Sequence, residues 1–359
     1  MNTQQKVLSA QVGQLIVGGF NGPRIPEDFR ELIRSGVVGG VILFKENLGG
    51  LLECAGLLDE LQREAPAPLW TAVDQEGGRV QRLGPPFLQL PPMRWVGDRD
   101  DGRLARRIGM LLAEGLAALG FRQDYAPILD VDTNPANPVI GDRSFSRDPH
   151  RVAALGAALI EGLQSEGVAA CGKHFPGHGD TSTDSHFTLP RLDHDLTRLR
   201  TVELLPFKKA AEVGVASLMT AHVLFPAIDP DHPATLSEKV IEPLVRGELG
   251  YQGVVVSDDL EMKAVADHYG VEEAAVRAIR AGCDQLLVCH QPSLQEAAHR
   301  AIVQAVEDGS LPRARVEQAA ARVAVMQAKF PLRAAPEGQV LARLPRETWD
   351  DLAAALGCG

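Results

Sequence analysis

The sequence has no basic excess, no paired cysteines and no long apolar run, and each absence removes a class of function. Lysine and arginine total 36 against 47 aspartates and glutamates, a net charge of −11, and no cation cluster exceeds what a solvated helix face carries. A nucleic-acid or anionic-membrane partner is therefore not expected. No stretch reaches the ~20 apolar residues that span a bilayer. The N-terminus, MNTQQKVLSAQVGQLIVGGF, lacks the basic region, apolar core and cleavage site of an export signal. Five cysteines, Cys54, Cys171, Cys283, Cys289 and Cys358, form an odd set without a CxxC pair. Reduced, inert thiols in a cytoplasmic chain are the expectation. No GxGxxG follows any apolar run, so a dinucleotide cofactor is not expected either.

What is present is a regular alternation. Eight short, β-branched apolar runs recur at 15–20, 38–44, 69–75, 124–130, 168–175, 216–223, 253–259 and 283–289. Near-continuous apolarity marks strands buried on both faces, as in a parallel sheet. Between them lie segments of helical spacing such as PEDFRELIRSG, DGRLARRIGMLLAEGLAALG, DPHRVAALGAALIEGLQSEG and VEEAAVRAIRAG, with acidic or proline starts and glycine stops. Eight such units in 359 residues, 45% of them hydrophobic, predict an α/β fold, a single-domain (β/α)8 TIM-type barrel over residues 1–335. Residues 336–359 are too few for another domain and read as a C-terminal tail. No exposed apolar stripe stands out, so a monomer is expected.

Barrel active sites form at the C-terminal ends of the strands. Polar residues fall there: Asp74 and Glu76 after the third run, Asp130 and Asp132 after the fourth, Lys173 and His174 after the fifth, His222 after the sixth, Asp258 and Asp259 after the seventh. Any one such aspartate is as readily a helix cap, and a lone histidine such as His222 is more often a packed side chain than a catalyst. Their convergence on one rim is what points to a site. The segment KHFPGHGDTSTDSH, 173–186, is the most crowded. His174, His178 and His186 could hold zinc in a metal-dependent barrel hydrolase. However, Pro176, Gly177 and Gly179 break the helix on which an HxxxH clamp works, and the strand-end HxH of barrel metallohydrolases is absent. Proton transfer fits better, with Asp184 orienting His186 two residues on. Neither a metal nor another cofactor is expected.

These residues, in this order, resemble the bacterial β-N-acetylglucosaminidases of glycoside hydrolase family 3. The resemblance runs through LIVGGF, VGGVILF, AVDQEGGRVQR, NPVIGDRSFSRDP, GKHFPGHGDTSTDSH, MTAHV and VVVSDDLEM, and covers most of the chain. KHFPGHG followed by DSH is its most specific element, since other branches take their acid/base carboxylate from elsewhere. The resemblance implies a two-step retaining mechanism in which Asp258 attacks the anomeric carbon. His186, assisted by Asp184, would serve as acid and then base. It also implies that Asp74, Arg82, Arg143, Lys173 and His174 bind the hydroxyl and acetamido groups of an N-acetylglucosamine ring. The implied substrate is a muropeptide fragment of cell-wall recycling, cleaved in the cytoplasm. With histidine in place of an acid/base carboxylate, one negative charge near the nucleophile is removed, so phosphate could compete with water as acceptor. A sugar-binding protein without catalysis is the remaining alternative, against which the intact DSH and SDD motifs argue.

Overall fold

The computed structural model describes residues 2–185, 189–334 and 339–356. Eight parallel strands close into a barrel: β1 Ile16–Gly18, β2 Gly40–Leu43, β3 Trp70–Val73, β4 Gln123–Asp124, β5 Ala169–Phe175, β6 Ser217–Thr220, β7 Val254–Asp259 and β8 Gln285–Val288. Closure is made by β1 against β8, with Ile16 in register with Leu286. Every strand lies within or overlaps one of the eight apolar runs. The run 124–130 departs furthest, because its regular ladder stops at Asp124. Pro127 has no N–H to donate, and pairing continues through single bonds from Cys171 N–H to Ala126 O and from Leu129 N–H to Lys173 O.

The helices follow from their ends. Asp101 caps Gly102–Leu119 by accepting the Arg103 and Leu104 N–H groups, and Gly120, at φ 110°, closes it in a left-handed conformation. Asp148 caps Pro149–Ser165, which begins with proline where no N–H is needed. These two helices pack on each other, and the close approach is visible at Gly109, where a Cβ would lie 2.5 Å from Leu159 O. No helix among the described residues is long and apolar enough to cross a membrane.

Helix Thr3–Gln14 precedes β1, and helices Pro292–Glu307 and Arg313–Lys329 follow β8. Of the segment read as a tail, the described part carries helix Arg346–Leu356, which docks on the barrel. Its Trp349 is buried, donates Nε1–H to Leu111 O at 3.1 Å and packs its ring against Phe87 at 4.8 Å. Cys54, Cys171, Cys283 and Cys289 are buried free thiols. Burial pushes Cys54, Cys171 and Cys283 each up to about 12, which keeps them protonated and unreactive. Cys358 lies outside the described residues.

Candidate active site

Successive residues of a regular strand point to opposite faces. Yet Lys173 and His174, and likewise Asp258 and Asp259, both line one cavity of about 290 Å³ at the C-terminal mouth of the barrel. The ladder explains this. Between β7 and β8 the register runs from Val256↔Gln285 to Asp259↔Leu287, three residues against two. Between β5 and β6 it runs from Gly172↔Leu218 to Phe175↔Thr220, again three against two. Each strand thus carries one extra residue at its rim end, a bulge that turns both members of a polar pair toward the barrel axis. Ser257 fills the gap on β7 by accepting the Leu287 N–H at 3.1 Å.

The cavity wall from β3 to β5 is an alternating charge network. Lys173 Nζ lies 2.8 Å from Asp74 Oδ1 and 2.7 Å from Glu76 Oε1. Arg82 reaches Asp74 Oδ2 at 3.3 Å, and Arg143 grips Glu76 with two parallel bonds of 2.9 and 2.8 Å. Burial alone would push the Asp74 and Glu76 carboxyls up. The Lys173 ammonium and the flanking guanidinium, Arg82 or Arg143, more than offset it and hold both below the ordinary carboxylate range. Lys173 and Arg143 are held correspondingly more basic against their own burial. Asp74, Glu76, Lys173 and Arg143 stay charged and, with Arg82, are pre-positioned, with charge-assisted donors and acceptors facing the cavity.

Asp130, fully buried, anchors the crowded segment from beneath. It accepts the backbone N–H of His174 at 3.2 Å and of His178 at 2.7 Å, and His174 Nδ1 lies 2.8 Å from its Oδ2. Burial works against its ionisation, but His174 and His178 keep the carboxyl below its usual range. The pairing puts a proton on His174 Nδ1, which donates to Asp130 Oδ2. Gly179 lets the segment pass close to the fourth strand's extension, since a Cβ there would sit 1.8 Å from Val131 O. His178 is buried, and desolvation with the neighbouring His174 pushes it down to about 4, so it is neutral at pH 7. Both its ring nitrogens are engaged, Nδ1 with Thr181 Oγ1 at 2.8 Å and Nε2 with Ser185 Oγ at 3.0 Å.

Of the residues singled out in the sequence, the structure brings Asp74, Arg82, Arg143, Lys173, His174 and Asp258 to this one cavity. Asp258 accepts the Asp259 N–H at 2.8 Å. Asp184 is half-buried and adjoins Ser185, a cavity residue. His186 lies outside the described residues. Among the described residues no group of three histidine, cysteine or acidic side chains is arranged to hold a metal ion. His222 and Asp132 do not line the cavity. His222 Nδ1 meets Thr235 Oγ1 at 2.8 Å and Nε2 meets Asp259 O at 2.9 Å. Asp132 pairs with Arg94 at 2.8 Å and Arg147 at 3.5 Å.

Asp259 ties the ends of β7 and β8 together, accepting the Glu261 and Cys289 N–H groups at 3.1 and 3.2 Å. Burial pushes its carboxyl up to about 7, with Glu261 and Asp258 adding to the effect. Among the cavity residues outside the sequence-based binding set are Glu76, Phe44 and His290. Glu76 sits two positions after Asp74, hence on the same face, which the strand period signals. Phe44 and His290 stack at 5.1 Å across the ends of β2 and β8. Nothing local in the sequence pairs those two.

This geometry can be set beside known proteins. The model of the glycosyl hydrolase family 3 N terminal domain matches residues 7–326. A β-hexosaminidase of Nitrosomonas eutropha is 41% identical over 277 residues, 76% of this chain and 79% of that protein. Among solved structures, a family 3 β-N-acetylglucosaminidase from Paenibacillus sp. FPU-7 superposes with TM-score 0.90 at 42% identity, covering 98% of this chain and 68% of that one. NagZ from Neisseria gonorrhoeae, solved with N-trifluoroacetyl-D-glucosamine, superposes with TM-score 0.80 at 33% identity over 95% of this chain and 96% of that one. The Neisseria protein has also been solved in complex with a zinc ion. With barrel, rim and sequence in agreement, this chain belongs to glycosyl hydrolase family 3, among its β-hexosaminidases.

Proposed function

We propose that the protein is a retaining exo-β-N-acetylglucosaminidase that releases N-acetylglucosamine from the non-reducing end of β-linked muropeptide fragments in peptidoglycan recycling. The observation that carries the reading is Asp258 at the bulged end of β7, facing a cavity whose opposite wall is the Asp74–Lys173–Glu76–Arg143 network. In the first step a carboxylate oxygen of Asp258 bonds to the anomeric carbon as the glycosidic C–O bond breaks, and protonated His186 gives its proton to the departing oxygen. In the second, neutral His186 takes a proton from water, whose oxygen displaces Asp258 with a second inversion. Asp184 orients the imidazole and stabilises its cationic form. Asp74, Arg82, Arg143, Lys173 and His174 hold the ring hydroxyls and the acetamido group, for which a dry wall of fixed charges offers strong, directional bonds. The sugar analogue bound by the Neisseria relative supports an acetamido sugar here.

The test is hydrolysis of nitrophenyl β-N-acetylglucosaminide beside the matching β-glucoside, with and without chelator, by wild type and Asp258→Ala. Turnover of the acetamido sugar alone, indifferent to chelator and lost in the variant with its circular dichroism unchanged, is the expected result. Chelator-sensitive turnover, or full activity in Asp258→Ala, would overturn the reading. Release of N-acetylglucosamine from a muropeptide tests the substrate assignment separately.

A further inference from the structure

We infer that His178 is a positioning residue for the acid/base step, an imidazole spacer that fixes the Asp184–Ser185 segment against the helix that follows Asp258 and β7. The inference rests on the reading of Asp184 and His186 as the acid/base pair. It starts from a continuous chain of bonds. Asn137 Nδ2 donates to His178 O at 2.8 Å and to Thr181 Oγ1 at 3.1 Å. Thr181 Oγ1 lies 2.8 Å from His178 Nδ1, and His178 Nε2 lies 3.0 Å from Ser185 Oγ. The Ser185 carbonyl in turn accepts the Ala264 N–H at 3.3 Å, at the start of helix Lys263–Tyr269, which follows β7. Ser185, the residue between Asp184 and His186, is therefore held at its side chain by the fifth strand's loop and at its carbonyl by the seventh's.

The protons in this chain have a consistent arrangement. A neutral imidazole accepts at one nitrogen and donates at the other. With the Asn137 amide donating to Thr181 Oγ1, the threonine's single proton has two acceptors in reach, His178 Nδ1 at 2.8 Å and His178 O at 3.1 Å; directed at Nδ1, it leaves Nε2–H to donate to Ser185 Oγ. A cationic His178 would donate at both nitrogens and turn that threonine proton to His178 O, 3.1 Å away. Burial keeps the ring neutral, and the Asp130 carboxylate fixes its backbone through the His178 N–H at 2.7 Å. His178 thus lines the cavity without titrating near neutrality. Its two bonds are spent on geometry, and geometry is what proton transfer to a leaving oxygen depends on most steeply.

A residue that merely supported the fold would slow every substrate alike. A positioning residue for the acid has a different signature, because activated leaving groups depart without a proton. The experiment compares His178→Leu, His178→Gln, Ser185→Ala and His186→Ala on an alkyl β-N-acetylglucosaminide and on the dinitrophenyl one, with and without azide. For His178→Leu we expect kcat/KM to fall about 10- to 100-fold on the alkyl substrate and under about threefold on the dinitrophenyl one. Azide, which needs no base, should speed turnover of the glycosyl-enzyme, and His178→Gln, which can still donate to Ser185, should recover most of the loss. If His178→Leu does not fold, Ser185→Ala carries the same expectation. Equal losses on both substrates, or no loss, with His186→Ala behaving as an acid/base variant, would overturn the role of His178 alone. If His186→Ala itself shows no dependence on leaving group, the acid/base reading fails and this inference with it.

Discussion

Two buried charge clusters stand at opposite ends of the barrel, and they put their charges to different use. At the C-terminal rim, Asp74 and Glu76 share Lys173, Arg82 and Arg143. At the N-terminal floor, Asp284, just before β8, holds Arg246 at 2.6 Å, Arg315 at 2.7 Å and Arg322 at 3.1 Å. Both clusters have more cations than carboxylates. On the floor, most of the further bonds go to backbone. Arg246 reaches Tyr251 O and Gly253 O, Arg315 reaches Ile279 O and Cys283 O, and Asp284 itself takes the Val255 N–H. On the rim, the bonds run mainly between side chains and the cluster borders an open cavity. A dense group of charges does not by itself mark a site; what its remaining hydrogen-bonding capacity faces does.

The contrast can be broken by mutation. Lys173→Met should have the largest effect, because it leaves two buried carboxylates facing each other without their cation. Stability should fall by about 3–5 kcal/mol, and kcat/KM of the folded fraction by roughly 10²-fold or more, read by urea unfolding and nitrophenyl-sugar kinetics. Asp284→Ala strands three arginines and should cost a similar ~3–5 kcal/mol in urea unfolding. Its kcat and KM should stay within about twofold of wild type, since the cluster touches neither the rim nor its loops. A changed KM in Asp284→Ala would show that the floor is coupled to sugar binding, and the comparison would fail.

The sequence makes one of these clusters far easier to find than the other. Asp74, Glu76, Lys173 and Asp258 each end a buried apolar run, and in a parallel barrel that position is the rim, so local pattern plus fold class brings them together. The arginines of the floor come from helices some thirty to forty residues from Asp284, and nothing in the spacing links them. The bulges on β5 and β7 were equally hidden, since they fall at GKHF and VSDD, where the apolar run turns polar and no alternation remains to reveal a shift of register. For the same reason the sequence could place Lys173 and His174 at one strand end but could not say that both face inward. Asp130 was legible as a rim residue, yet its work is to hold the backbone beneath His174 and His178. The stacking of Phe44 on His290 and the docking of Trp349 depend on long-range packing that no local signal encodes.

Asp124 stands between the two clusters and sharpens the comparison most finely. It is fully buried on β4, in register with Val73, and its Oδ1 accepts the Gln75 N–H at 2.9 Å while Oδ2 has no hydrogen-bond partner. Burial pushes its carboxyl up to about 7, and Asp74 and Glu76 add to the effect against the opposing pull of the Gln75 N–H and Lys173. The folded protein therefore holds this proton where the unfolded chain, near 3.8, has lost it. The resulting stabilisation is complete below about pH 4 and disappears as the pH rises through 7. His178, pushed down to about 4, acts in the opposite direction over nearly the same range, because the unfolded chain gains a proton below about 6.5 that the folded one refuses. In wild type the two partly cancel. Asp124→Asn keeps the shape and the acceptor for Gln75 but cannot ionise, so its stability relative to wild type should rise between pH 4 and 7, by about 1 kcal/mol for each pH unit. The variant alone should then lose stability on acidification through His178. Urea midpoints at pH 5 and 7.5 test this, and a constant difference between the two proteins would mean that Asp124 is already ionised in the fold and belongs with the charged rim.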